Sequence, residues 1–189
     1  MITPIKSLFL ACASAVLLSA CTTAQQSASA PAQVQTPSLY SNVAPLDLRL
    51  SAWHYPYPLK EFKTSLQGQP ASMMYMDVPA QGKQKGAVLL FHGKNFSSDY
   101  WKLTIPALTQ AGYRVIAPDQ IGFGKSSKPD VEYHFDDLAA NTQALLTSLK
   151  IKQVSVIANS MGGMVGVRFA RLYPQTVQKL VLELSLIHI

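Results

Sequence analysis

One stretch decides the fold, Val156-Ile157-Ala158-Asn159-Ser160-Met161-Gly162-Gly163, in which an apolar run meets a serine and then small residues. The run over 154–158 is typical of a strand buried on both faces of a parallel sheet. Residues 161–173 have helical spacing, and glycines near their start lower the helix propensity. We therefore predict a strand-to-helix turn at Ser160 and a helix whose backbone presses against a neighbouring element.

Strand and helix patterns alternate on both sides of this stretch. The predicted strands are 60–66, 71–78, 87–91, 113–117, 154–158 and 179–183, and the predicted helices are 99–111, 136–150 and 161–173. Pro106 is expected to kink or split the first helix, and Lys150 is expected in the last turn of the second. Because this alternation produces right-handed crossovers, the fold class is α/β, with three α/β/α layers around a mostly parallel sheet.

A serine at such a turn has two interpretations. Serine side chains at helix starts usually cap the helix by accepting a backbone hydrogen bond. Alternatively, a sharp strand-to-helix turn forces Ser160 into strained backbone angles and lifts its hydroxyl clear of the chain. The helix N-terminus would then favour negative charge that develops beside that hydroxyl.

Two further motifs accompany the serine turn. Phe91-His92-Gly93-Lys94 ends the first central strand, and Asp119-Gln120-Ile121-Gly122-Phe123-Gly124-Lys125-Ser126 follows the next strand. With Ala158-Asn159-Ser160-Met161-Gly162, these motifs resemble the α/β-hydrolase superfamily, whose nucleophile elbow reads G-x-S-x-G. Ala158 departs from that pattern by one methyl group. The three motifs keep the family's order over residues 86–173, so the resemblance implies the α/β-hydrolase fold.

The resemblance also implies roles for residues near the turn. Ser160 is expected to be the nucleophile, and the backbone N–H groups of Lys94 and Met161 are expected to form the oxyanion hole. The residues expected to have structural roles beside the site are His92, Gly93, Asp119 and Gly162. His92 is assigned to the turn and not to catalysis, since it matches the family's turn histidine.

The resemblance implies hydrolysis of ester-like acyl bonds through an acyl-enzyme, with a small-molecule acyl substrate, no cofactor and no metal. Serine rather than aspartate at the elbow disfavours haloalkane dehalogenase and epoxide hydrolase chemistry. Three alternatives stay open. They are a cofactor-free haloperoxidase, a C–C bond hydrolase and a non-catalytic envelope-binding protein on the hydrolase scaffold.

The catalytic triad is incomplete in this sequence. The family's acid and histidine follow the serine, and here one acid, Glu183, and one histidine, His188, follow Ser160. Both come too early for that pattern, so neither is assigned to the triad. We expect 46–183 to be the N-terminal part of a hydrolase domain, inactive as a fragment. Residues 184–189 are expected to be an artefactual or non-native tail, although a genuine terminus and a broken reading frame stay open.

The N-terminus resembles a bacterial lipoprotein signal. Lys6 precedes an apolar run that ends in Leu18-Ser19-Ala20-Cys21. The resemblance implies a signal peptide over 1–20, lipid attachment at Cys21 and export to the bacterial cell envelope, where Thr22 favours the outer membrane. Ordinary secretion with an incidental cysteine stays open. Residues 21–45 are rich in Ser, Thr, Ala, Gln and Pro and are predicted to be a flexible tether.

Composition excludes several classes of protein. Hydrophobic residues make up 48% of the chain and charged residues 14%, which excludes a disordered chain. The net charge is +6, but the basic residues are scattered singly, so no nucleic-acid partner is expected. Of the two cysteines, Cys12 would leave with the signal and Cys21 would carry the lipid. No disulfide or cysteine-based metal site is therefore expected.

Overall fold

The computed structural model describes residues 45–184, so the predicted signal peptide, nearly all of the tether and residues 185–189 lie outside the described range. Six strands form one sheet: β1 Leu59–Leu66, β2 Gln69–Val78, β3 Gly86–Phe91, β4 Tyr113–Pro118, β5 Val154–Asn159 and β6 Val177–Glu183. Their order across the sheet is β1-β2-β4-β3-β5-β6. The pairs β1–β2 and β2–β4 are antiparallel, and the other three pairs are parallel. The predicted α/β class with a mostly parallel sheet is confirmed.

The helical elements are a 3-10 helix at Ser98–Leu103, α1 Thr104–Gln110, α2 Phe135–Ser148 and α3 Met161–Leu172. The predicted helix over 99–111 is indeed split, and Pro106 lies in the first turn of α1. A proline costs little there because the first N–H groups of a helix have no intrahelical partner.

The predicted end of the second helix is wrong by two residues. Helix α2 ends at Ser148, and Lys150 lies beyond it with a φ of 57°. The Lys150 N–H donates to the Thr147 carbonyl oxygen at 3.0 Å, and the Ile151 N–H donates to that of Leu146 at 2.9 Å. This pair of bonds is the Schellman arrangement, which satisfies the last carbonyls of the helix and terminates it.

Helices cover both faces of the sheet, which completes the three layers. On one face, α2 and α3 bury Leu145 and Phe169 against β3 and β5. On the other face, the 3-10 helix and α1 bury Trp101 and Ile105 against β3 and β4. Strand β6 is an edge of the sheet in the described part of the chain, with Val181 54% exposed. No helix within residues 45–184 is long and apolar enough to cross a membrane.

The three sequence motifs meet at one edge of the sheet. Strands β3, β4 and β5 are adjacent and parallel, and they end at Phe91, Pro118 and Asn159. The residues that follow these ends are His92, Asp119 and Ser160. Ligand sites of open α/β sheets lie outside the carboxyl ends of the strands, so this edge is where a functional site is expected.

Candidate active site

Ser160 connects β5 to α3 in a strained conformation. Its backbone angles are φ 50° and ψ −120°, a region that residues other than glycine rarely adopt. The Ser160 N–H donates to the Glu183 carbonyl oxygen at 3.0 Å, and the Gly163 N–H donates to the Ser160 carbonyl oxygen at 2.8 Å. The serine is exposed, and its side chain makes no capping hydrogen bond. The capping interpretation is therefore wrong for this serine, and the strained turn is present.

Gly93 brings the first motif against the serine turn. A Cβ built on Gly93 would lie 2.9 Å from Asn159 Oδ1 and 3.3 Å from Ser160 Cβ. The chain then turns away, with the Phe96 N–H donating to the Gly93 carbonyl oxygen at 3.2 Å. A side chain at position 93 would crowd Asn159 and Ser160, so glycine allows the first motif to approach the serine turn this closely.

The two predicted oxyanion donors flank this contact. Lys94 lies in the turn after Gly93, and Met161 is the first residue of α3. Within residues 45–184, neither the Lys94 N–H nor the Met161 N–H has a hydrogen-bond acceptor. Two such donors beside an exposed hydroxyl are chemically suited to hold an oxyanion, because unpaired N–H groups stabilise negative charge as it forms.

The start of α3 is pressed onto the end of β3. A Cβ on Gly162 would lie 2.5 Å from the Phe91 carbonyl oxygen and 2.6 Å from that of His92. One turn later, a Cβ on Gly166 would lie 3.1 Å from Ala158 Cβ. The predicted close approach of this helix to a neighbour is thus confirmed, and Gly162 is the position where it is tightest.

His92 is buried and has both ring nitrogens engaged. Nε2 accepts a hydrogen bond from the Gln120 N–H at 2.9 Å, and Nδ1 lies 2.8 Å from the Gly93 carbonyl oxygen. A neutral imidazole with its hydrogen on Nδ1 satisfies both contacts. These contacts join the first motif to the second. Both ring nitrogens therefore contact backbone atoms of the two motifs.

The burial of His92 makes stability depend on pH. Burial lowers the pKa of His92 below its ordinary value of 6.5, although the nearby Gly93 carbonyl and Asp119 carboxylate oppose the shift. As the pH falls, the unfolded chain therefore binds a proton before the folded one does. The free energy of unfolding is expected to decrease below about pH 6.5, by up to about 1.4 kcal/mol per pH unit.

Urea unfolding of the whole protein between about pH 8 and about pH 5 measures the slope of the free energy of unfolding against pH. His134 is exposed, so His134→Gln should leave the slope in place, whereas His92→Gln should flatten it. A slope that is the same in both variants would contradict the assignment to His92.

Asp119 organises the second motif from a fully buried position. Its Oδ1 accepts from the Ser98 N–H, and its Oδ2 accepts from the Lys125 N–H and the Tyr55 hydroxyl, each at 2.7 Å. Burial and the adjacent Asp119 raise the pKa of Tyr55 well above its ordinary value, so this hydroxyl stays a donor. The predicted structural role of Asp119 fits these contacts, which also tie the segment before β1 to the site.

A cleft of about 440 Å³ opens beside the predicted oxyanion turn. It is lined by Lys94 and Phe96 from that turn, by Phe123 from the second motif and by Trp53 from the segment before β1. Ser160 is not among its lining residues in the described part of the chain, but Phe96 and Ser160 both border Gly93. Trp53 lines this cleft, whereas Tyr55 packs against the core cluster that contains Trp101 and Ile105.

Phe96 and Asp99 are residues of the cleft that the sequence did not indicate. Neither belongs to a motif, and the helical spacing predicted over 99–111 did not indicate that Asp99 would face a cleft. Within residues 45–184, no group of three or more His, Cys, Asp and Glu side chains is placed to hold a metal ion. Glu183 pairs in register with Asn159, and His188 lies outside the described residues.

Known proteins share this fold. A family model described as the alpha/beta hydrolase fold matches residues 86–188. A solved structure described as "a probable hydrolytic enzyme", from Pseudomonas aeruginosa PAO1, is 50% identical with a TM-score of 0.71. That match covers 73% of this chain and 45% of that chain.

Two curated relatives illustrate the range of chemistry. A haloalkane dehalogenase from Mesorhizobium japonicum is 37% identical over 57% of this chain and 33% of its own length. The 2-hydroxy-6-oxo-6-(2'-aminophenyl)hexa-2,4-dienoic acid hydrolase of Metapseudomonas resinovorans is 37% identical over 50% of this chain and 34% of its own length. The chain therefore spans roughly a third of the length of the curated relatives it matches.

Proposed function

The chain belongs to the alpha/beta hydrolase family, and on that premise we propose that the whole protein is a serine hydrolase of ester-like acyl bonds. The single observation that carries the proposal is the turn at Ser160. Exposed Ser160 is held at φ 50° at the start of α3, and the N–H groups of Lys94 and Met161 lack an acceptor within residues 45–184.

The proposed reaction has two halves. Ser160 Oγ attacks the acyl carbon and loses its proton, the N–H groups of Lys94 and Met161 hold the oxyanion, and the bond to the leaving alcohol breaks. Water then attacks the acyl-enzyme, releasing the acid and restoring the serine. A serine hydroxyl needs a general base for the first step. We propose that the whole protein supplies that base, with its orienting carboxylate, outside residues 45–184.

A C–C bond hydrolase is the second candidate. Its support is the similarity to the dienoic acid hydrolase of Metapseudomonas resinovorans, together with the serine at the elbow. Haloalkane dehalogenation has weaker support despite the similarity to a dehalogenase, since an alkyl halide is displaced by a carboxylate nucleophile and position 160 is a serine.

Fluorophosphonate labelling of the whole protein tests the proposed nucleophile. We expect one label per chain, located at Ser160 by peptide mass mapping and absent from Ser160→Ala. Ser155 lies on the same strand and is half-buried, so Ser155→Ala is the matched control and should label normally. An unlabelled wild-type protein that is folded would overturn the serine hydrolase proposal and favour a binding protein on this scaffold.

We also propose that the protein is exported and anchored in the bacterial cell envelope by lipid on Cys21. The support is the apolar run that ends in Leu18-Ser19-Ala20-Cys21 and the uncharged segment that follows it. In cells given radioactive palmitate, the wild-type protein should take up the label and Cys21→Ser should not. Labelling that persists in Cys21→Ser would exclude this anchor.

A further inference from the structure

We propose that Trp53 is a specificity-determining residue that forms a wall of the substrate cleft and selects acyl groups carrying an aromatic ring. The inference rests on the proposed function and goes beyond it by naming a substrate class. Trp53 belongs to the segment before β1, outside the three motifs and outside the range that the family model matches.

The cleft has the size and lining of a small-molecule site. Its volume of about 440 Å³ lies in the range that such sites occupy, roughly 300–1,000 Å³. Three aromatic side chains line it, each from a different segment: Trp53, Phe96 and Phe123. Aromatic rings prefer offset-stacked or edge-to-face contacts with other rings, so this lining fits a flat ring better than a small aliphatic group.

The Trp53 side chain is held in place although 47% of the residue is exposed. Its Nε1–H donates to Asp99 Oδ2 at 2.9 Å, and the other oxygen of that carboxylate accepts from the Ser97 hydroxyl. Asp99 lies in the 3-10 helix that follows the Lys94 turn. The indole is therefore fixed to the same segment that carries the predicted oxyanion donor.

The backbone around Trp53 is anchored as well. The Tyr55 hydroxyl bonds to buried Asp119 at 2.7 Å, and Lys125 Nζ donates to the Ser51 carbonyl oxygen at 3.3 Å. Both contacts join the segment before β1 to the loop after β4. A wall that is fixed before the ligand arrives loses less entropy when the ligand binds.

Phe96 connects the cleft to Ser160. Its ring lines the cleft and lies 3.2 Å from the point where a Gly93 Cβ would stand, and Ser160 Cβ lies 3.3 Å from that same point. An acyl group attached to Ser160 can therefore extend past Phe96 towards Trp53. Of the two lysines that line the cleft, Lys94 is exposed, and Lys128 Nζ donates to the Gly124 carbonyl oxygen at 2.7 Å.

The test compares two esters that share one leaving group, p-nitrophenyl benzoate and p-nitrophenyl acetate, on the whole protein. Trp53→Ala is expected to lower the ratio of kcat/KM for benzoate to that for acetate by about tenfold. Trp53→Phe keeps a ring and should hold the ratio within about threefold of wild type. The ratio cancels any general loss of activity that affects both esters equally.

One outcome overturns the proposed role of Trp53. It is an unchanged ratio in Trp53→Ala, whether both esters keep their kcat/KM or lose it equally. If the wild-type protein hydrolyses neither ester and takes no label, the proposed function fails separately. Tryptophan fluorescence then tests whether benzoate binds beside Trp53. Saturable quenching by benzoate in the wild type but not in Trp53→Phe supports the proposal. The same quenching in both proteins, or none in either, refutes it.

Discussion

Ser160→Ala is expected to lower the esterase kcat/KM of the whole protein by about 10⁴-fold or more, the scale seen when a serine nucleophile is removed. The reason is that the variant keeps the oxyanion donors and the cleft but has no hydroxyl to form the acyl-enzyme. Residual turnover, if any, should come from water acting in the same site. Steady-state rates on p-nitrophenyl acetate measure the loss, and Ser155→Ala should keep the wild-type rate.

Ser160→Gly separates the strain at this turn from its chemistry. It should be as inactive as Ser160→Ala, because it also lacks the hydroxyl. Glycine adopts φ 50° without a steric penalty, whereas alanine keeps the strain that costs on the order of 1–3 kcal/mol. We therefore expect the free energy of unfolding of Ser160→Gly to exceed that of Ser160→Ala by about 1 kcal/mol. A more stable alanine variant would show that the turn is not strained.

Gly162→Ala should be a highly damaging single-methyl change in the site. The added Cβ would stand 2.5 Å and 2.6 Å from two backbone carbonyl oxygens, which cannot rotate away. Helix α3 must then move off the end of β3, and the Met161 N–H moves with it. We expect the free energy of unfolding to fall by about 3 kcal/mol or more, with loss of esterase activity even where the protein stays folded.

Gly166→Ala is the matched control for that prediction. It adds the same methyl group to the same helix, but the nearest atom, Ala158 Cβ at 3.1 Å, belongs to a side chain. The gain in helix propensity, about 1 kcal/mol, offsets part of the crowding, so the net change should stay within about 1 kcal/mol. Denaturant unfolding of both variants gives the comparison. Equal destabilisation by the two substitutions would refute the backbone contact at position 162.

Predictions from the sequence succeeded where a local pattern dictates backbone geometry. The apolar run over 154–158, the serine and the small residues after it predicted a strand, a tight turn and a closely packed helix. The split of the first helix was correctly predicted from Pro106, because a proline lacks the N–H that would continue the helical hydrogen bonds in its own turn. Lys150 shows the limit of such reasoning: a favourable charge at a helix end did not reveal that this residue itself adopts the left-handed conformation that ends α2.

The sequence by itself thus determined the α/β architecture, the family and the turn that carries Ser160, because each can be read from short motifs, from periodic patterns and from their order along the chain. Only the tertiary structure decided that Trp53 meets Asp99, that Tyr55 donates to Asp119 and that Phe96 lies between the cleft and the serine turn. Those contacts join residues from separate segments. Which residues meet depends on how the layers pack around the sheet, and the local periodicity of the sequence does not specify it.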